Sequence, residues 1–213
     1  DFRHSERWRP CVRAMPRVLL AIPLVGLLVL AGCVQEPPPA SPFNGQGFDN
    51  GMYAPLFTLE SMDGDLWSLE EQRGKTVVMA FIYTRCYETC PVISAAINHA
   101  KTKLTSEENL SVVWVSITID PYHDSPSVLQ NWTSDRGYDW VHLTGIDSAV
   151  NPVLDAYDVD PIHFEDNSSQ GYGFSHPQPT YVIDSSGYLR VVWSEVDWPV
   201  DLFLEDLRTV LAG

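Results

Sequence analysis

Two cysteines separated by three residues, Cys86 and Cys90 in FIYTRCYETCPV (residues 81–92), carry the most evident chemical potential in this sequence. An apolar run delivers the chain to the first, and Pro91 follows the second at once. Proline is favoured at the first position of a helix, which puts Cys86 in a loop leaving a strand and Cys90 at the threshold of a helix. Side chains four residues apart across a helical turn point the same way. Sulfurs so placed can close a disulfide or grip one metal ion. The unsatisfied N–H groups and positive dipole end of a helix favour thiolate over thiol, which raises nucleophilicity and metal affinity. Arg85 adds a positive charge nearby. The alternative is a structural disulfide, common in exported proteins. A bridge closing so short a loop contributes little, because the loop-entropy term grows with the residues enclosed. A working pair is therefore expected rather than a staple.

The elements that must position this pair follow from the apolar patterning. FTLESMDGDLWSL (57–69) has Asp63-Gly64 between alternating apolar runs, a hairpin signal. TVVMAFIY (76–83) is almost wholly apolar and reads as a buried central strand. A helix is predicted over 91–103, with Val92, Ala95, Ala96 and Ala100 on a helical period. LSVVWVSITID (110–120) reads as a second strand, and DPYHDSPSVLQNW turns into a helix with Ser125 as cap before Pro126. Residues 140–143 form a short third strand, 151–157 a short helix, 180–184 and 188–193 a strand pair across Ser185-Ser186-Gly187, and 199–211 a closing helix. Strands alternating with helices, then a hairpin and a last helix, imply a central mixed sheet covered on both faces. This α/β order, with its N-terminal β-hairpin, resembles the thioredoxin fold.

Two thiolates leave a copper ion short of ligands, so a metal reading needs an imidazole. His99 falls in the predicted first helix and His142 in the third strand, where packing or surface roles are expected. His176, in GYGFSHPQPTYVID (171–184), stands in a loop just before a strand, and in a thioredoxin-like fold that loop runs beside the cysteines. Two Cys and one imidazole form a soft trigonal set suited to Cu(I), and with a further weak ligand to Cu(II). His163, in DPIHFEDNSSQGYGFSH, is the rival ligand. Asp120 and Asp124 are read as capping and bracing the loop into the following helix rather than as a catalytic pair. Trp67, Trp114, Trp140 and Trp193 are assigned to packing. Pro179-Thr180 is similar to the cis-proline turn that faces the cysteines in thiol oxidoreductases, a plain trans turn being the alternative.

The N-terminus speaks of export. MPRVLLAIPLVGLLVLAGC (15–33) combines Arg17, an apolar stretch over 18–30 and small residues before Cys33, the pattern of a secretory signal. The stretch falls short of the about 20 residues of a comfortable membrane span. Its Leu-Ala-Gly-Cys ending resembles the lipobox of prokaryotic lipoproteins, which implies cleavage before Cys33 and lipid on its sulfur. Residues 1–14, with Cys11, are then an upstream extension. Residues 34–52, rich in Pro, Gly, Asn and Ser, read as a flexible tether, and 53–213 as the folded domain. After residue 33 the chain holds 8 basic and 26 acidic residues, a surface unsuited to nucleic acid.

Taken together, FIYTRCYETCP, VSITIDPYHDSP and SHPQPTYVID resemble the Sco (SenC) family of membrane-anchored copper chaperones for cytochrome oxidase assembly. Cys86, Cys90 and Pro91 match a Cys-x-x-x-Cys-Pro segment. Asp120, Pro121, Asp124 and Ser125 match an Asp-Pro-x-x-Asp-Thr/Ser segment, and His176 with Tyr181 a histidine five residues ahead of a strand aromatic. The similarity spans 53–213. Tyr87-Glu88-Thr89 stands where many members have Pro-Asp-Val, and His123 replaces a frequent arginine. The resemblance implies copper ligation by Cys86, Cys90 and His176 in a monomer at the outer face of the cytoplasmic membrane. The recipient it implies is the binuclear copper centre of a haem-copper oxidase subunit. A thiol-disulfide reductase, with Cys86 attacking and Cys90 resolving, is the second reading. The pocket motif of a peroxiredoxin-type peroxidase is not found.

Overall fold

The computed structural model describes residues 41–48, 52–165 and 171–213. The expected extension, the signal with Cys33, and residues 34–40 and 49–51 of the expected tether lie outside the described residues. Ten strands, five α-helices and one 3-10 turn (Glu70–Gln72) make up the regular structure of the described chain. They are β1 (Gln46–Gly47), β2 (Thr58–Ser61), β3 (Leu66–Ser68), β4 (Thr76–Ile82), α1 (Cys90–Lys103), α2 (Ser106–Ser111), β5 (Val112–Thr118) and α3 (Pro126–Asp135). After these come β6 (Val141–Thr144), α4 (Asp147–Ala156), β7 (Ile162–Glu165), β8 (Tyr172–Ser175), β9 (Thr180–Ile183), β10 (Leu189–Trp193) and α5 (Val200–Leu211).

Eight strands form one mixed sheet in the order β1-β10-β9-β4-β5-β6-β2-β3. Every residue of β4 is buried, as its unbroken apolar run requires of a strand covered on both faces. It runs parallel to β5 and antiparallel to β9, with Ala80 opposite Ser116 on one side and Thr180 on the other. Alternation divides the core. Val77, Met79 and Phe81 join Val115, Ile117 and the α4 residues Val150, Val153 and Leu154 on one face. Val78 and Ala80 join Ile93 and Ile97 of α1 and Phe203, Leu204 and Leu207 of α5 on the other. The expected helix-covered mixed sheet with an N-terminal hairpin, β2–β3, is present.

Three local expectations are corrected and one open alternative is settled. Residues 41–48 belong to the domain rather than to a tether: β1 pairs with β10, and the buried Asp206 of α5 accepts bonds from the N–H groups of Asn44 (2.8 Å) and Gly45 (2.9 Å). Residues 110–111 end α2 rather than begin a strand, because Thr105 and Glu108 form a reciprocal capping box that starts a helix there. The buried stripe of α1 is Cys90, Ile93, Ser94, Ile97 and Ala100, while Val92 and Ala95 face solvent; two isoleucines outweigh alanines in choosing the apolar face. No peptide bond among the described residues is cis, so Pro179 makes a plain trans turn.

A fourth difference bears on function. Residues 160–176, read as loop, contain β7 and β8, which pair with each other and with no strand of the main sheet. Gly173 of β8 lies against Phe164 of β7, where an added Cβ would stand 2.7 Å from the ring. Among the described residues no helix is long and apolar enough to cross a membrane.

Candidate metal and thiol site

Cys86 and Cys90 lie where the central strand hands over to α1, and both are free thiols. Thr89, the residue before the helix, makes no side-chain cap. The sulfur of Cys86 takes that place: it accepts the N–H of Cys90 at 3.2 Å and lies 3.4 Å from Thr89 Oγ1. A helix start offers unsatisfied N–H groups, and here one of them points at a sulfur. The Cys86 thiol is lowered to about 5, chiefly by the hydrogen bond from the Cys90 thiol, with Thr89 and the backbone N–H groups assisting and burial opposing. Cys90, completely buried, is pushed up, first because it donates that hydrogen bond and then by burial. The pair thus holds one proton, on Cys90, and one negative charge, on Cys86. Arg85, expected to help, lies over the ring of Tyr172 at 5.4 Å instead.

The loop carrying Cys86 is braced from below. Asp124, fully buried, accepts bonds from Thr84 N (3.0 Å), Thr84 Oγ1 (2.5 Å) and Thr118 Oγ1 (2.6 Å). Burial still holds its carboxyl above the ordinary value, the three donors offsetting only part of the desolvation. Ser125 caps α3 through Val128 N. The expected bracing role of Asp124 extends to the cysteine loop, one strand away.

Opposite the sulfurs runs an open cleft of ≈ 560 Å³, bounded by Tyr83, Arg85, Cys86 and residues 87–89 on one side and by Phe164, residues 172–176 and Gln178 on the other. His176 faces it. Its Nδ1 donates to the carbonyl of Pro177 at 2.6 Å, and its Nε2 is buried without a hydrogen-bond partner. Burial lowers the imidazole from its usual value, against an opposing pull from the Cys86 charge. The ring is therefore neutral, with a lone pair on Nε2. Among the described residues no three His, Cys, Asp or Glu side chains are gathered closely enough to hold a metal ion. His176 shares the cleft with Cys86 without closing a ligand set.

The other histidines separate cleanly. His99 is exposed on α1. His142 is buried on β6, its Nδ1 3.1 Å from Thr133 Oγ1 and from the carbonyl of Trp140, and burial lowers it to about 4. His163 is exposed on β7, stacked on Tyr172 with centroids 5.4 Å apart. His123 lies beside Asp120 and Tyr172. Trp114, Trp140 and Trp193 are buried, and Trp67 stacks on Phe57.

Two tyrosines that sequence reasoning passed over link the halves. Tyr83 ends the apolar run of β4; its oxygen accepts the N–H of Phe174 at 3.5 Å. Its ring meets Phe174 edge-on at 5.3 Å and His176 at 6.4 Å. Burial and the Cys86 charge push it up to about 12. The second, Tyr172, bonds to Asp120 and lies under Arg85 of the cysteine loop. The alternation Tyr172-Gly173-Phe174 ahead of Ser-His was the available signal, a short strand with one aromatic face.

Fold and site together define a thioredoxin-like domain with a polarised dithiol at the start of its first helix. A sequence model of SCO1/SenC matches residues 48–212; the chain belongs to the SCO1/SenC family. It is similar to the SCO2-like protein of Rickettsia typhi, 24% identical over 190 residues covering 84% of this chain and 92% of that one. Bradyrhizobium japonicum ScoI with copper bound superposes with a TM-score of 0.62 at 20% identity, over 75% of this chain and 99% of that one. BsSco, a member of the Sco family of cytochrome c oxidase assembly proteins in which a disulfide switch was identified, gives 0.63 at 23%, over 78% and 98%.

Proposed function

We propose that this chain is a copper metallochaperone, anchored by lipid on Cys33 at the outer face of the cytoplasmic membrane. It carries one copper ion on Cys86, Cys90 and His176 to the binuclear copper centre of a cytochrome oxidase. The observation that carries the reading is the His176 ring, which lines the cleft: Nδ1–H is spent on a backbone carbonyl, and Nε2 is left neutral, buried and partnerless. That is the arrangement by which a second hydrogen bond fixes the tautomer of a metal-binding imidazole. Family membership and copper in a solved relative agree with it. Copper is the cargo, and binding it displaces the proton of Cys90. Two-electron oxidation of the thiols to a disulfide removes both sulfur ligands, so redox state switches loading.

Titration of the reduced chain with Cu(I) and Cu(II), following the sulfur-to-copper charge-transfer band, tests the proposal. One copper per monomer is expected, lost in Cys86→Ala and Cys90→Ala and weakened in His176→Ala. Full affinity in His176→Ala would refute the ligand set. Cys33→Ser is expected to release the protein from membranes.

The polarised pair favours one second reading, a thiol-disulfide reductase acting on the oxidase's copper-site cysteines. Cys86 is the thiolate at the cleft and Cys90 the buried resolving thiol. Equal turnover of a mixed-disulfide target by the wild type and His176→Ala would favour the enzyme.

A further inference from the structure

The β7–β8 pair carries Ser175 at its end and so delivers His176, yet no backbone ladder joins it to the main sheet. A lone two-stranded hairpin is marginal in water, so side-chain anchors must set where it lies. Among the described residues its hydrogen bonds to the body are few. Phe174 N reaches Tyr83, and the remaining ones converge on the hydroxyl of Tyr172.

Tyr172 donates to Asp120 Oδ2 at 2.5 Å, and its oxygen lies 2.8 Å from His123 Nδ1. His123 Nδ1 is also 3.2 Å from Asp120 Oδ1. With a proton on Nδ1, every donor in this triangle has an acceptor. Asp120 is buried, and its own N–H is tied to Thr118 Oγ1 at the end of β5. The ring of Tyr172 stacks with His123 (5.0 Å, 26°) and with His163 (5.4 Å, 24°), and Arg85 of the cysteine loop lies over it at 5.4 Å. One side chain of the hairpin therefore touches both the loop after β5 and the loop that holds Cys86.

We propose that Tyr172 is a positioning residue: clasped by Asp120 and His123, it fixes β8 against the body and so holds His176 at the copper-receiving cleft. The clasp does not touch copper. It removes the conformational freedom the hairpin would otherwise lose on loading. This rests on the reading of His176 as a ligand.

Tyr172→Phe removes the hydroxyl and leaves the stacked ring. Copper affinity and the charge-transfer band are to be measured on the reduced full-length chain for the wild type, Tyr172→Phe, Asp120→Asn, His176→Ala and Tyr172→Phe/His176→Ala. Native circular dichroism is the check on folding. Loss of a hydrogen bond to a charged partner predicts about tenfold weaker binding in Tyr172→Phe, with a smaller loss in Asp120→Asn. In the double variant no loss beyond that of His176→Ala is expected, because the clasp acts only through His176. Wild-type affinity in a folded Tyr172→Phe, or additive losses in the double variant, overturns the clasp while leaving the ligand set standing. An unaffected His176→Ala overturns the ligand set and the clasp with it. Should Tyr172→Phe not fold, Asp120→Asn with its own His176→Ala double decides by the same criterion.

Discussion

The two sides of the cleft are built by different means. The sulfur side is continuous with the sheet: Cys86 follows β4, Cys90 opens α1, and Asp124 ties the intervening loop to β5. The imidazole side hangs from a hairpin outside the sheet, attached by two tyrosines and edge-on aromatic contacts. A thiolate pair needs a fixed geometry to share one proton, and the core supplies it. A hairpin held to the body by side chains opens more readily than a strand inside the sheet, since local opening is easiest where backbone bonds to the rest of the fold are few. Tyr83 joins the two, its ring under His176 and its hydroxyl next to the Cys86 charge.

This contrast can be broken at several points. The largest effect is expected at Asp124, where alanine strands three donors around a buried position. About 3–4 kcal/mol of stability is expected to vanish in a urea melt, together with copper binding; a mild loss would mean that the sulfur loop does not depend on the sheet. Burial holds the Asp124 carboxyl above its ordinary value, so its protonated form is favoured in the folded state over the unfolded one. Its contribution to stability is full below the unfolded carboxylate value of about 3.9 and is lost as pH rises through the folded value. Asp124→Asn is expected to flatten that slope.

Ile97→Ala, on the buried stripe of α1, is expected to cost about 3 kcal/mol. Val92→Ala on the exposed face stays within about 0.5 kcal/mol. Equal costs would show that α1 does not rest on the sheet by that face. Hydrogen exchange sharpens the comparison directly. Amides of β4 and β5 are expected to exchange only on global opening, and those of β7 and β8 about 100-fold faster; uniform protection would erase the distinction between the two sides.

The smallest effect at neutral pH is the most specific to the thiolate. With Cys86 lowered to about 5, its alkylation rate is flat above that pH and falls below it, where an ordinary thiol is still rising toward pH 8–9. At pH 7 the rates differ by only a factor of about 2, because lower basicity reduces intrinsic nucleophilicity. The depressed value also stabilises the fold above the unfolded thiol range, a contribution lost as pH falls through about 5. Thr89→Ala is expected to move the midpoint upward.

The central strands, the dithiol at the helix start, the cap at Ser125 and the closing helix were legible because each depends on residues near one another in the chain. The phase of α1 was misread because apolar period alone does not say which of two overlapping stripes the sheet will choose. The β7–β8 pair was missed for a related reason. Its strands are short and wholly or partly exposed, so the brief alternation Tyr172-Gly173-Phe174 was the sole signal, too short to stand out from a loop.

By itself, then, the sequence determined the chemistry on offer: two thiols on one helical turn, a histidine ahead of a β-strand, and the apolar runs that make a covered sheet. Only tertiary structure decided which thiol holds the charge, because that depends on which sulfur the N–H of Cys90 and the Thr89 hydroxyl reach and which is buried. It also decided that Asp120, His123 and Tyr172, up to 52 residues apart, meet in one triangle. Hydrogen bonds over such separations leave no periodic trace in a chain, since they are set by how the sheet stacks its loops and not by local propensity.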